Sequence, residues 1–154
     1  MEEDEYKATY NAIASVRCIF EKALTNHHAR CSLAVHFCLA DREGYSCTEE
    51  LSSRKCKEML AKLRENSTFV LKLHEIKGPL PHNMEIRVQA GGMSGLAKLV
   101  SDPIDKVSST GAVIDIHQLI KRSEDKFGDL ENLPFSEIIQ SVVQFQGRRR
   151  KQRK

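Results

Sequence analysis

Met84-Glu85-Ile86-Arg87-Val88-Gln89-Ala90 alternates apolar and polar side chains without a fault, and it runs straight into Gly91-Gly92-Met93-Ser94-Gly95. Period two is the pattern of a strand with one wet face. It sets Met84, Ile86, Val88 and Ala90 toward a core and Glu85, Arg87 and Gln89 toward water. Upstream, residues 68–76 read as a second strand with Phe69, Leu71 and Leu73 inward. Gly78-Pro79-Leu80-Pro81 between the two makes a stiff loop, so an antiparallel hairpin is expected.

Outward from that hairpin, residues 32–40 are apolar on both faces, as in an interior strand covered on two sides. Residues 41–44 read as a turn, and Ser46 with Glu49 fits a capping box that opens a helix. That helix buries Cys56, Met59, Leu60 and Leu63 and ends near Asn66. A first helix is expected over 6–26, with Ile13, Val16, Phe20, Ala23 and Leu24 as its buried stripe. Residues 111–116 admit two readings: a fourth strand, or a lead-in to a helix capped by Asp115 and stopped by Gly128. A last helix over 134–146 starts at Pro134 and buries Phe135, Ile138, Ile139 and Val142. The order predicts an α+β fold, a single two-layer domain over 1–146 with a small mixed or antiparallel sheet packed by helices. A basic flexible tail over 147–154 follows it.

Charge is divided unevenly along the 154 residues. Arg148, Arg149, Arg150, Lys151, Arg153 and Lys154 are six of the 24 basic side chains, which leaves residues 1–147 with 18 basic against 21 acidic groups, a net of −3. Six cations in seven residues lose too much hydration to pack in a core, so they sit in water or against a polyanion. Guanidinium groups fork onto phosphate oxygens and release condensed counterions, which gives affinity without base readout. An import signal uses the same residue types. A second basic patch, Arg54, Lys55, Lys57, Lys62 and Arg64, is expected on the polar face of the second helix, diluted by Glu58 and Glu65.

Other chemistries find less support. His27, His28 and Cys31, and His36 with Cys38, have zinc-ligand residue types, but a second close pair to complete four ligands is lacking. Cys38 and Cys56 occupy core-like positions, and five cysteines without a secretion signal point to reduced thiols. The glycine run at 91–95 matches no phosphate-loop spacing and reads as a bend or bulge. Cys31 with His27 or His28, and His74 with Glu75, offer a nucleophile or acid–base pair only if folding joins them. His36 reads as a core histidine. Asp102 and Asp105 are near neighbours without a paired-carboxylate motif. No catalytic residue, metal or cofactor is expected.

The function expected is nucleic-acid binding, with RNA favoured over DNA because an arginine-rich segment folds onto irregular RNA surfaces. Partners would be RNA or DNA, other proteins of a larger assembly, or a second copy of the chain. The setting would be nucleus or cytoplasm, since the acidic start Met1-Glu2-Glu3-Asp4-Glu5 is unlike a signal peptide and no apolar run spans a membrane. The competing expectation is a protein-interaction adaptor or obligate oligomer whose tail is only a nuclear address.

Overall fold

A computed structural model describes residues 3–5, 8, 16–40, 42–71, 80–100 and 115–145. The elements are α1 (Glu21–Thr25), β1 (Ala34–Leu39), β2 (Arg42–Cys47), α2 (Glu50–Ser67) and α3 (His82–Ile86). A π-helical turn (Arg87–Gly91) then joins α3 to α4 (Gly92–Val100), and α5 (Ile116–Phe127), a 3-10 turn (Leu130–Asn132) and α6 (Phe135–Gln144) complete the order. Helices packed with one small antiparallel sheet make this an α+β domain.

The decisive stretch is helical. Residues 84–90 lie in α3 and the π-turn, and the hairpin expected over 68–90 is overturned. Strand periodicity failed because two of the polar residues are inside: Glu85 and Gln89 are each 3% exposed. They sit one helical turn apart and satisfy each other, with Gln89 Nε2 donating to Glu85 Oε1 at 2.9 Å. The described start of the first half, 68–71, is no strand either. Residues 68–71 are a turn that closes α2, with Leu71 buried and Phe69 89% exposed, whereas Leu73 and Ile76 lie outside the described residues.

The glycine run forms a helix crossing, not a bend. A Cβ on Gly95 would stand 2.6 Å from Ile138 O, and one on Gly91 would stand 2.8 Å from Val142 Cα. Only hydrogen fits there, so α4 and the π-turn approach the α6 backbone directly. Met93, Leu96 and Ala97 of α4 are buried amid Met59 and Leu63 of α2, Leu119 and Ile120 of α5, and Ile138 and Val142 of α6.

The two strands pair from Ala34 with Cys47 to Leu39 with Arg42, leaving a two-residue connection in which Ala40 takes φ +55°. Glu43 and Gly44 therefore belong to β2, and the turn lies earlier than expected. β1 is no interior strand: Val35, His36 and Cys38 are exposed, and among the described residues the sheet has only the two strands β1 and β2. Ser46 also lies in β2. Glu49 occupies the N-cap of α2 without a side-chain cap bond, so the capping box does not form. Met59, Leu60 and Leu63 are buried as expected and Cys56 is half-buried.

The helix expected over 6–26 is interrupted: residues 3–5 and 8 are helical, 6–7 and 9–15 lie outside the described residues, and α1 starts at Glu21 because Cys18 N donates to Tyr45 O at 3.0 Å and Val16 O accepts from Cys47 N at 2.8 Å. Those bonds tie 16–18 to the edge of β2 and remove them from a helix. Phe20, Ala23 and Leu24 are buried, whereas Ile13 lies outside the described residues. Of the two readings around Asp115, the helix holds: its side chain accepts from His117 N, and Gly128 ends α5 at φ +88°. α6 (Phe135–Gln144) lies within its expected span of 134–146, following Pro134 with Ile138, Ile139 and Val142 buried, and Phe135 half-buried instead of buried. The tail expected over 147–154 lies outside the described residues.

Candidate nucleic-acid interface

α1 ends in a Schellman-type cap. His28 N donates to Ala23 O at 2.9 Å, His27 N donates to Leu24 O at 3.1 Å, and His27 takes φ +62°. The left-handed residue at such a cap is usually glycine, and a histidine there bears a backbone cost of about 1 kcal/mol. The reversal turns Asn26, His27 and His28 toward His82 and Asn83 at the start of α3. Together with Thr25, Ile86, Arg87 and Phe145 they line a cleft of about 690 Å³.

Among the described residues no carboxylate lines this cleft. Arg87 forms its inner wall: its Nη2 donates to Val142 O and Val143 O, both at 3.3 Å, in the last turn of α6. Carbonyl dipoles hold the guanidinium in place but do not cancel its charge. Its Nε is buried and has no acceptor among the described residues. Phe145 closes the opposite side with its ring 5.0 Å from that of His28, edge to face at 82°. Its position is fixed from beneath by Gly91, where a Cβ would come within 3.2 Å of Phe145 Cβ. Burial, and secondarily the neighbouring His27, lower the His28 pKa below 6.5.

Two other clefts differ in kind. One of about 370 Å³ between α1, α2 and α3 carries Arg17, Lys22, Lys57 and Arg64, but also Glu21 and Glu85. Its buried Glu85 is held by both Arg64 Nε (3.1 Å) and Arg64 Nη2, and Gln89 Oε1 in turn accepts from Ala23 N at 3.1 Å. That chain of bonds ties α2, α3 and α1 together, and each partner is satisfied. A third cleft of about 100 Å³ beside Lys55, His117 and Lys121 contains Glu124.

The expected second basic patch is charge-balanced for four of its five members. Arg54 pairs with Glu50 at 3.2 Å, Lys55 with Glu124 at 2.9 Å, Lys62 with Glu131 at 3.9 Å, and Arg64 with Glu85. Lys57 is exposed at the 370 Å³ cleft. Arg148, Arg149, Arg150, Lys151, Arg153 and Lys154 lie outside the described residues, but the last described residue, Phe145, is three positions before Arg148.

Among the described residues no three His, Cys, Asp or Glu side chains converge as metal ligands. His36 is exposed with Nε2 3.6 Å from Glu43 Oε2, so it is not a core histidine, and Cys38 is exposed as well. Cys18, Cys31, Cys47 and Cys56 lie close enough to act on one another electrostatically. Burial dominates, however, and pushes the Cys18 and Cys56 thiols up to about 12. The Cys31 thiol is raised too, chiefly by burial, and the groups acting on it do not include His27 or His28, so no thiol–imidazole pair forms. His74, Glu75, Asp102 and Asp105 lie outside the described residues.

His82, Asn83, Arg87 and Phe145 escaped the sequence reading, which placed Arg87 on the wet face of a strand. Pro81 followed by apolar spacing of four (Met84, Val88, then Leu96) was the available helical signal. In comparisons with known proteins, no family model matches the chain, and neither a curated protein nor a solved structure is significantly similar to it.

Proposed function

We propose that this protein binds nucleic acid, RNA in preference to DNA, as an accessory component of a larger assembly in the nucleus or cytoplasm. Arg148, Arg149, Arg150, Lys151, Arg153 and Lys154 supply sequence-independent phosphate affinity, and the histidine-lined cleft receives the strand beside them. No catalytic step belongs to this reading. The observation that carries it is the meeting of a cleft, without a carboxylate among its described lining residues, with Phe145, three residues ahead of the cationic run. Elsewhere on the described surface the cations of α2 are largely neutralised by carboxylates.

The test is a titration of labelled RNA and duplex DNA at several salt concentrations. It compares the natural chain with a full-length variant carrying Gln at all six tail positions. Six phosphate contacts give a logarithmic salt slope of about −5 on duplex DNA and about −4 on a single strand, and the variant loses most of that slope. Equal affinities for the two proteins refute the tail's role.

A second reading, an interaction adaptor or oligomer whose tail only addresses it to the nucleus, draws on Phe69 (89% exposed) and Leu51 (68% exposed). Sedimentation showing a stable oligomer without salt-sensitive nucleic-acid binding would favour it.

A further inference from the structure

We infer that the cleft between α1, α3 and Phe145 takes one unpaired nucleotide of a single strand, phosphate toward the histidines and Arg87 and base against Phe145. This rests on the nucleic-acid reading above and goes beyond it, because a tail of cations alone has no such preference.

The mouth offers what a phosphate needs. His27, His82 and Asn83 are exposed there with side-chain donors, and the Arg87 guanidinium lies behind them with no carboxylate among the described lining residues. The inner end offers an apolar and aromatic surface, Phe145 with His28 and Ile86. A polar mouth over an aromatic interior matches a nucleotide, and about 690 Å³ is in the size range of small-ligand sites.

Concavity then decides between single strand and duplex. A paired base is stacked within the helix and reaches a recess only by flipping out, which costs a few kcal/mol. An unpaired base enters without that penalty and stacks on the aromatic ring. The tail works in the opposite direction, because duplex DNA has the higher charge density and releases more counterions per contact. Tail and cleft therefore predict opposite preferences, and a measured preference separates them.

The experiment measures binding of a labelled 12-nucleotide single strand of mixed sequence and of the same strand annealed to its complement. The proteins are the full natural chain, Phe145→Leu (which keeps apolar packing but removes the stacking face) and His82→Ala at the exposed mouth. The natural chain should bind the single strand about 5- to 150-fold more tightly, the range one stacked base supplies. Phe145→Leu should abolish most of that ratio and leave duplex affinity unchanged, and His82→Ala should weaken single-strand binding while Phe145 stays intact. If the duplex binds as tightly or more so, or both variants keep the natural ratio, the cleft assignment is wrong while the nucleic-acid reading stands. If neither oligonucleotide binds, both fall together.

Discussion

Replacing Gly95 by alanine tests the helix crossing on which the whole arrangement hangs. Alanine is the better helix former by about 0.5–1 kcal/mol, so propensity alone predicts a more stable protein. The new Cβ, however, meets Ile138 O at 2.6 Å, Ile138 Cα at 3.1 Å and Ser141 Cβ at 3.1 Å. Two of those atoms are backbone and cannot rotate away. Restoring ordinary contact at 3.4 Å requires α4 and α6 to separate by about 0.8 Å, a gap that forfeits a quarter to a half of each dispersion contact across the seam. Overpacking of this kind costs about 1–3 kcal/mol, which leaves a net loss of about 1–2 kcal/mol after the propensity gain. Gly92→Ala is the internal control, because the three atoms nearest its Cβ all belong to the Leu63 side chain, the closest at 2.8 Å, and none is backbone. A rotamer adjustment there costs about 0.5–1.5 kcal/mol, nearly cancelled by propensity. In urea titrations followed by far-UV circular dichroism, Gly95→Ala should lower the midpoint with an unchanged slope, by an amount equivalent to roughly 3–8 °C in Tm, and Gly92→Ala should stay near the natural protein. A Gly95→Ala protein as stable as the natural one would refute the direct backbone crossing of α4 and α6.

The Arg64–Glu85 pair is asymmetric: the Glu85 side chain is 4% exposed and that of Arg64 37%, so Arg64→Met strands a buried carboxylate and should cost about 3–5 kcal/mol by chemical denaturation. Glu85→Gln, which leaves Arg64 free to reach water, should cost clearly less, and the reverse order would overturn the description of that network. Thiol labelling at pH 8 should modify exposed Cys38 quickly, whereas Cys18 and Cys56, with pKa values about 12, hold only one thiolate in about ten thousand and should react at least a thousandfold more slowly until the protein unfolds. Comparable rates at Cys38 and Cys56, read by mass spectrometry, would contradict the partial burial of Cys56 in α2. The folded-state pKa of His28 lies below its unfolded value of 6.5, so its contribution to stability is complete above pH 6.5 and is lost as pH falls through the folded value. The Tm of the natural protein should therefore drop on acidification more than that of His28→Gln, and parallel curves would show that His28 is not buried as described.

Legibility in the sequence followed burial. Helices with one apolar stripe and one wet face were readable: Met59, Leu60 and Leu63 of α2, the Asp115 cap and Gly128 stop of α5, and Ile138, Ile139 and Val142 of α6 all stand where pattern places them. Residues 84–90 were misread because a seven-residue window of faultless alternation assumes that polar means wet. Glu85 and Gln89 defeat that assumption through Arg64 and the Ala23 amide, partners 21 and 66 residues distant that no local window contains. Extending the window to Leu96 restores the helical period. The glycines misled for a related reason: in isolation they mark bends, and only the α6 backbone pressed against them explains why they lie inside a helix. The cleft suffered most, since it joins the end of α1, the start of α3 and the end of α6, and His27 and His28 looked like zinc ligands before His82 and Arg87 were known to be their neighbours.

Charge arithmetic over the whole chain hides how the tail and the cleft would act together. Residues 1–147 have a net of −3, which argues weakly against a polyanion when spread over the whole surface. Screening at physiological salt limits that repulsion to about 8 Å, so what a phosphate meets depends on the side chains beside it and not on the sum. Around α2 the carboxylates are interleaved with cations, and an approaching anion finds dipoles. At the cleft it finds, among the described residues, Arg87, three imidazoles and no carboxylate, with six further cations tethered from the third residue beyond Phe145. A tether that short confines the tail within a few residues' reach of the cleft mouth, so the two elements would engage successive phosphates of one strand and each would raise the effective concentration of the other's target. Neutralising the tail should therefore weaken binding by more than its phosphate contacts alone account for, and inserting a long Gly/Ser linker between Phe145 and Arg148 should lose that excess while keeping the salt slope.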